Sequence, residues 1–302
     1  MTTMQPESRL SNSSVGDAAA MTALGRKVRG RPQPGRWVAF VALCLISISF
    51  LFPLIWMLST SLKPLDQVMA YPPKWIPNQI ELHKTESGST TPIPENYWRV
   101  VTHEKMDFPL YTRNTLTIAV LSIIGTVLSS SLVAYGFAKI RFKGRGILFA
   151  IMLSTMMIPF PVLMISLFSI FRWIGDHTPF QMLGTLRPLW LPAFFGNAFN
   201  IFLLRQFFVT IPDELSEAAR IDGCSEFGIW WRIIMPLSKP ALSVVALFTF
   251  MASWKDFLGP LIYLQHPDQY TLALGLQVFQ SSQGGTEWNI LMGASLLILT
   301  PV

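Results

Sequence analysis

Few side chains here could do chemistry inside an apolar setting. The clearest are in "SWKDF", Ser253 to Phe257, where Lys255 and Asp256 lie near the middle of an apolar run. A charge at that depth costs roughly 2.5–3.5 kcal/mol on insertion scales. Neighbours on a helix point about 100° apart, so these two cannot simply neutralise each other. Two readings stand: a polar translocation route including Trp254, Lys255 and Asp256, or an interhelical ion pair that fixes packing. Asn197 and Asn200 interrupt a second apolar run. Amides there could bind a polar solute, although such groups more often join helices. Catalysis has no support, because neither paired carboxylates nor a metal-ligand cluster occupies one membrane face. His83, His103, His177 and His266 fall in polar connections without ligand spacing and read as solvated. Cys44 and Cys224 sit at unrelated depths and read as free thiols.

A different kind of site is suggested by "IPDELSEAARIDG", Ile211 to Gly223, an acidic stretch between two apolar runs. Thr210 can cap a helix that opens with Ile211, Pro212 and Asp213, since proline and acids suit a first turn. The helix would pass Leu215, Ala218 and Ala219 and stop at Gly223. Ser225 can cap a second helix, with Phe227, Trp230, Trp231 and Ile234 at i, i+3, i+4, i+7. Pro236 ends it. Alanines admit close approach of another surface, and the acids could meet basic groups on it. The competing reading is a solvated connector whose aromatics rest on the membrane surface.

The elements that must position these groups are membrane spans. The 302 residues are 51% hydrophobic and 13% charged, about half the charge of soluble domains, so the surplus apolar surface needs lipid. The net charge of +6 is spread over clusters at the ends of apolar runs, which excludes a nucleic-acid stripe. An all-α bundle of six membrane helices is expected. Residues 1–35 read as a disordered basic cytoplasmic tail, and 36–302 as the membrane domain. Spans are expected near Trp37–Leu62, Asn114–Ala138, Ile147–Phe171, Leu189–Val209 and Pro240–Leu264. Long outer connections fill Lys63–Arg113 and Gln265–Asn289, with a shorter one at Arg172–Pro188. Pro159 and Pro161 should kink the third span. "KIRFKGR", Lys139 to Arg145, places its turn inside the cell, so the loop at about 210–239 falls inside by alternation. The final run, "ILMGASLLILTPV", has thirteen residues and reads as a sixth span in which the chain stops partway.

Within that loop, "EAARIDGCSEFGIWWRIIMP" resembles the signature of bacterial binding-protein-dependent ABC importer permeases. The matching residues are Glu217, Ala218, Ala219, Gly223, Ile233 and Pro236, with Met235 in place of leucine. "FPLIWMLSTSLK", "AYGFAKIRFKGR" and "WKDFLGPLIYL" extend the likeness to the carbohydrate-uptake class, nearest its maltose-type second permease subunit. The resemblance implies a type I ABC importer permease fold and a passive half of an ATP-driven importer. It implies partners too: a second permease subunit, two copies of a cytoplasmic ATPase, an extracytoplasmic solute-binding protein, and the bilayer. ATP and Mg would be bound by the ATPase, since this chain has no Gly-x-x-x-x-Gly-Lys-Ser/Thr loop. Glu217, Asp222 and Gly223 would couple the loop to that ATPase, with Ala218 and Ala219 at the contact. Related subunits insert a loop into the binding protein where this chain has Gln280, Ser281, Ser282, Gln283, Gly284 and Gly285. Relatives commonly carry asparagine at the place of Lys255. Alternatives are an ion-coupled carrier, a membrane enzyme, or a permease for a solute such as glycerol phosphate.

Overall fold

The computed structural model describes residues 34–85, 89–104, 106–281 and 286–302. The tail therefore lies outside the described residues, except that its last two begin the first helix. The chain divides into two units, residues 1–55 and 56–302. The first unit contains most of α1 (Pro34–Ser61), 28 residues and roughly 42 Å long at 1.5 Å per residue. Trp37, Phe40, Ile46 and Phe50 are all more than half exposed on different sides of it. Such a helix needs lipid around it.

In the second unit the scaffold is α4 (Phe108–Lys139), 32 residues long. It begins six residues before the expected Asn114, because the Asp107 carboxylate accepts the Leu110 N–H at 3.0 Å and Pro109 occupies the first turn. Its buried face carries Ala119, Ser122, Gly125, Thr126, Ser130 and Ser131. Small residues at an interface let helix backbones approach closely.

The other spans are broken. α5 (Arg145–Ser154) runs into a 3₁₀ turn at Thr155–Met157, and α6 (Phe160–His177) then leaves at 100°. The expected kink is thus a complete break, since Pro159 is extended at φ −69°, ψ 142° and cannot continue the helix. The fourth run is also interrupted, into α7 (Arg187–Trp190), a 3₁₀ turn at Leu191–Phe195, and α8 (Ala198–Val209). Gly196 makes that break with φ 86°. By length and apolarity, α1 and α4 can each cross a membrane unbroken, and three bent pairs could also serve.

The long connections after α1 and after the fifth apolar run are more ordered than composition suggested. Between α1 and α4 lie α2 (Leu65–Val68), an antiparallel pair β1 (Leu82–Lys84) and β2 (Thr90–Pro94), and α3 (Glu95–Thr102). Buried Asn96 donates to the Ser61 and Lys63 carbonyls at 2.8 Å each, and accepts from Asn289 at 2.8 Å. Two of the histidines, His83 and His103, are engaged rather than solvated, while His177 is exposed as expected. His83 meets Glu95 at 3.0 Å and stacks on Trp98, His103 meets Glu287 at 3.0 Å, and His177 stacks on Trp173. Composition missed His83 and His103 because their partners lie 12 and 184 positions away in sequence.

The second long connection contains α14 (Leu272–Ser281), whose Leu272, Leu274 and Phe279 are buried. A short helix, α15 (Trp288–Leu299), follows it. At Gly275 a Cβ would sit 2.4 Å from the Tyr111 ring. Gly275→Ala should therefore destabilise the protein by about 1–3 kcal/mol through overpacking, read as a lower melting temperature in detergent. Gly136→Ala, where an added Cβ meets nothing within 4 Å, should show no such loss.

Candidate functional site: the loop between α8 and the fifth span

Thr210 does not cap the loop helix. It stays helical at the end of α8, and its hydroxyl turns back to the Phe207 carbonyl at 2.7 Å. Pro212 takes the cap position instead, and α9 (Asp213–Ile221) starts there, at 80° to the α7–α8 segment. Asp213 and Glu214 in its first turn favour that end of the helix dipole.

The C-terminus of α9 follows the expected pattern. Gly223 has φ 81°, its N–H donates to the Arg220 carbonyl, and the Cys224 N–H donates to the Ala219 carbonyl. Those two bonds form a Schellman motif, which calls for glycine at that position. Ser225 then caps α10 (Glu226–Ile229), accepting the Gly228 N–H at 3.2 Å.

A π turn at Trp230–Ile234 follows, then α11 (Met235–Leu237), and α12 (Lys239–Lys255) departs at 82°. The π turn closes i→i+5 bonds and takes more residues per revolution than an α-helix. The expected aromatic stripe is therefore split. Ile229, Trp230 and Ile234 are buried against Tyr135, Phe208 and Val245, whereas Phe227 and Trp231 are 63% and 51% exposed.

Both ends of the loop are tied to α4. Lys139 is nearly buried, and its Nζ donates to the Ile211 carbonyl at 2.5 Å and to Asp213 at 2.6 Å. That contact holds the Asp213 carboxyl below its usual range. Arg220 donates to Glu226 from Nε at 2.6 Å and from a terminal nitrogen at 3.3 Å, and Tyr135 donates to the same carboxylate at 2.5 Å. These donors, Arg220 first, hold the Glu226 carboxyl low, and Glu226 in turn raises Arg220.

The outward face of this assembly carries Glu217, Ala218, Asp222 and Gly223, all exposed, with Ala219 half-buried at the packed side. Ile233 is half-buried and Pro236 exposed. Beside the acids, Ile221 is 87% exposed. Apolar side chains presented with Phe227 on such a loop mark a surface that expects a partner.

The polar residues of the spans are distributed differently. α12 stops at Lys255, so "SWKDF" is a helix end and not the middle of a continuous helix. Asp256 is extended there, and its Oδ1 accepts the Gly259 N–H at 3.1 Å, opening α13 (Leu258–Tyr263). Trp254 is buried, and its Nε1 donates to the Ile298 carbonyl at 2.9 Å. Lys255 is exposed and forms no hydrogen bond or ion pair among the described residues.

Asn197 caps α8, accepting the Asn200 N–H at 3.2 Å, while its own N–H donates to Ser130 on α4. Asn200 is buried, and its Oδ1 has no hydrogen-bond partner among the described residues. Gln280 and Ser281 end α14, and Thr286 donates back to the Gln280 carbonyl at 3.0 Å. Ser282, Gln283, Gly284 and Gly285 lie outside the described residues.

Residues 127–301 match the family described as binding-protein-dependent transport system inner membrane component. The chain belongs to that family.

Its relatives agree over nearly the whole length. The arabinooligosaccharides transport system permease protein AraQ of Halalkalibacterium halodurans is 30% identical over 88% of this chain and 88% of its own. The trehalose/maltose transport system permease protein MalG of Thermococcus litoralis is 31% identical over 88% of this chain and 89% of its own. A chain from the crystal structure of a bacterial ABC transporter that imports alginate shares the fold, with a TM-score of 0.73. It is 22% identical and covers 98% of this chain and 95% of its own. The fold is accordingly that of a type I ABC importer permease, and the chain is an inner-membrane permease subunit.

In this permease the signature residues Glu217, Ala218 and Gly223 lie on the presented face and Ala219 and Ile233 pack beneath it, while Lys139, Tyr135, Arg220 and Glu226, which hold that face in place, are not among the matching residues. Lys139 stood out in the sequence only as a topology marker. Tyr135, Arg220 and Glu226 carried no spacing signal, since their meeting depends on how α4 crosses the loop. Ile221 could have been found, as an isoleucine beside Asp222 at a helix end has no packed face to join.

Proposed function

We propose that this permease moves a sugar or oligosaccharide inward by alternating access, as one half of a two-permease channel. Two cytoplasmic ATPases would carry ATP and Mg, and an external binding protein would deliver the solute. The observation that carries the proposal is the presented face of α9, with acids, bare Ala218 and exposed Ile221 on a helix anchored at both ends. Such a face suits a cleft with basic rims and an apolar floor. The substrate class rests on relatives whose names specify arabinooligosaccharides and trehalose or maltose. ATP-driven closure of the ATPases would swing α9, and the 80° bend before α9 and the 82° bend between α11 and α12 would pass the motion to the spans.

Asp256, which an ion-coupled carrier would need as its proton or cation group, already receives a backbone N–H as a helix cap.

The test is reconstitution with the ATPase and the binding protein. Glu217→Lys should reduce ATPase capture and ATP-dependent uptake about fivefold, the scale of one lost interfacial charge contact. Uptake and capture unchanged by both Glu217→Lys and Ala218→Trp would defeat the proposal.

A further inference from the structure

The covalent chain connects this loop only to α8 and α12, yet its polar contacts also reach a third helix. Tyr135 and Lys139 are one helical turn apart on α4 and so share a face. Lys139 grips the entry to α9 through the Ile211 carbonyl and Asp213. Tyr135 grips its exit through Glu226, whose two oxygens are filled by the Tyr135 hydroxyl and two Arg220 nitrogens. Between the two grips lies a cavity of about 340 Å³ that Arg141, Ser216 and Glu217 also line, so the loop helix is suspended from α4 at two points.

Apolar packing alone would not require this arrangement. Tyr135 is 2% exposed and could pack as phenylalanine does. Burying a hydroxyl against a charged pair costs desolvation that is recovered only with good directional geometry. Directional bonds resist sliding, whereas greasy contacts allow it.

We propose that α4 is a driven element of transport: the Tyr135–Glu226–Arg220 clamp obliges it to move with the coupling loop. Tyr135 is a positioning residue, acting through Glu226 and not on the solute. The proposal rests on the reading of the loop as the ATPase joint, and it adds a second route by which force enters the membrane. Without the clamp, the loop would still dock and ATP would still be hydrolysed, but part of each stroke would be lost between α9 and α4.

The measurement is solute imported per ATP hydrolysed, in proteoliposomes containing the full complex, for Tyr135→Phe and Tyr135→Leu. Tyr135→Phe should capture the ATPase normally and lower the ratio about fivefold, the size of a modest coupling energy. Glu226→Gln, which keeps the shape and weakens the bonds, should fall between it and the unaltered protein. An unchanged ratio in both Tyr135 variants overturns the proposal. So does a lowered melting temperature with an unchanged ratio in the surviving protein, because that result makes Tyr135 a packing residue. Failure of the underlying reading looks different: Glu217→Lys would leave ATPase capture intact, whatever the Tyr135 variants do.

Discussion

Gly223→Ala is expected to cut ATP-dependent uptake roughly five- to thirtyfold, the factor that corresponds to 1–2 kcal/mol, while Gly223→Asn keeps most of it. The reason is confined to the backbone. A Cβ at position 223 would meet nothing within 4 Å, so the substitution clashes with no neighbour. Its φ of 81°, however, costs an L-residue roughly 1–2 kcal/mol. Asparagine tolerates this conformation better, because its short side chain can hydrogen-bond locally.

Relief of that strain would open the Schellman motif and release the Arg220 and Ala219 carbonyls. The angle between α9 and α10 then changes, and Glu226 is drawn away from Tyr135 and Arg220. Uptake in proteoliposomes, with folding checked by thermal unfolding, separates the two effects. Alanine equal to glycine in uptake would mean that the turn has no mechanical role.

How far the sequence revealed this arrangement depends on the range of the interaction. Gly223 and Ser225 were readable because a cap is decided by residues three or four apart. Pro159 was readable as a disturbance, although only the extended backbone at the break shows that the helix stops and leaves at 100°. The spacing puts Trp230 and Trp231 on one stripe, but a π turn rotates the register and separates them, and no residue in the run announces it. Asn197 was ambiguous for a related reason. An amide in an apolar run looks the same whether it faces a pathway or caps a helix, and here it caps α8. The clamp on α4 was beyond reach, since Tyr135 and Glu226 are 91 positions apart.

Trp254→Ala is expected to remove folded protein rather than to alter the handling of solute. The indole is 4% exposed, stacks on Phe250 at 5.3 Å, and donates to the Ile298 carbonyl at 2.9 Å. Val100, Leu291 and Ala294 belong to the same packed cluster, so Trp254 joins the end of α12 to α15 and α3. Truncating a buried tryptophan costs about 3–5 kcal/mol. Losses of that size are a large share of the 5–15 kcal/mol that holds a typical domain together. The yield of folded protein in detergent should fall sharply, and the residual protein should require the same solute concentration for half-maximal uptake. Trp254→Phe, which keeps most of the ring and loses only the N–H, should be intermediate. Lys255, one position on, supplies the contrast: it is exposed at the helix end, so Lys255→Asn should leave the melting temperature unchanged. If Trp254→Ala instead folds normally and raises that half-maximal concentration, the tryptophan lines the pathway. The break at Asp256 would then present it to solute in a state in which α15 has moved away.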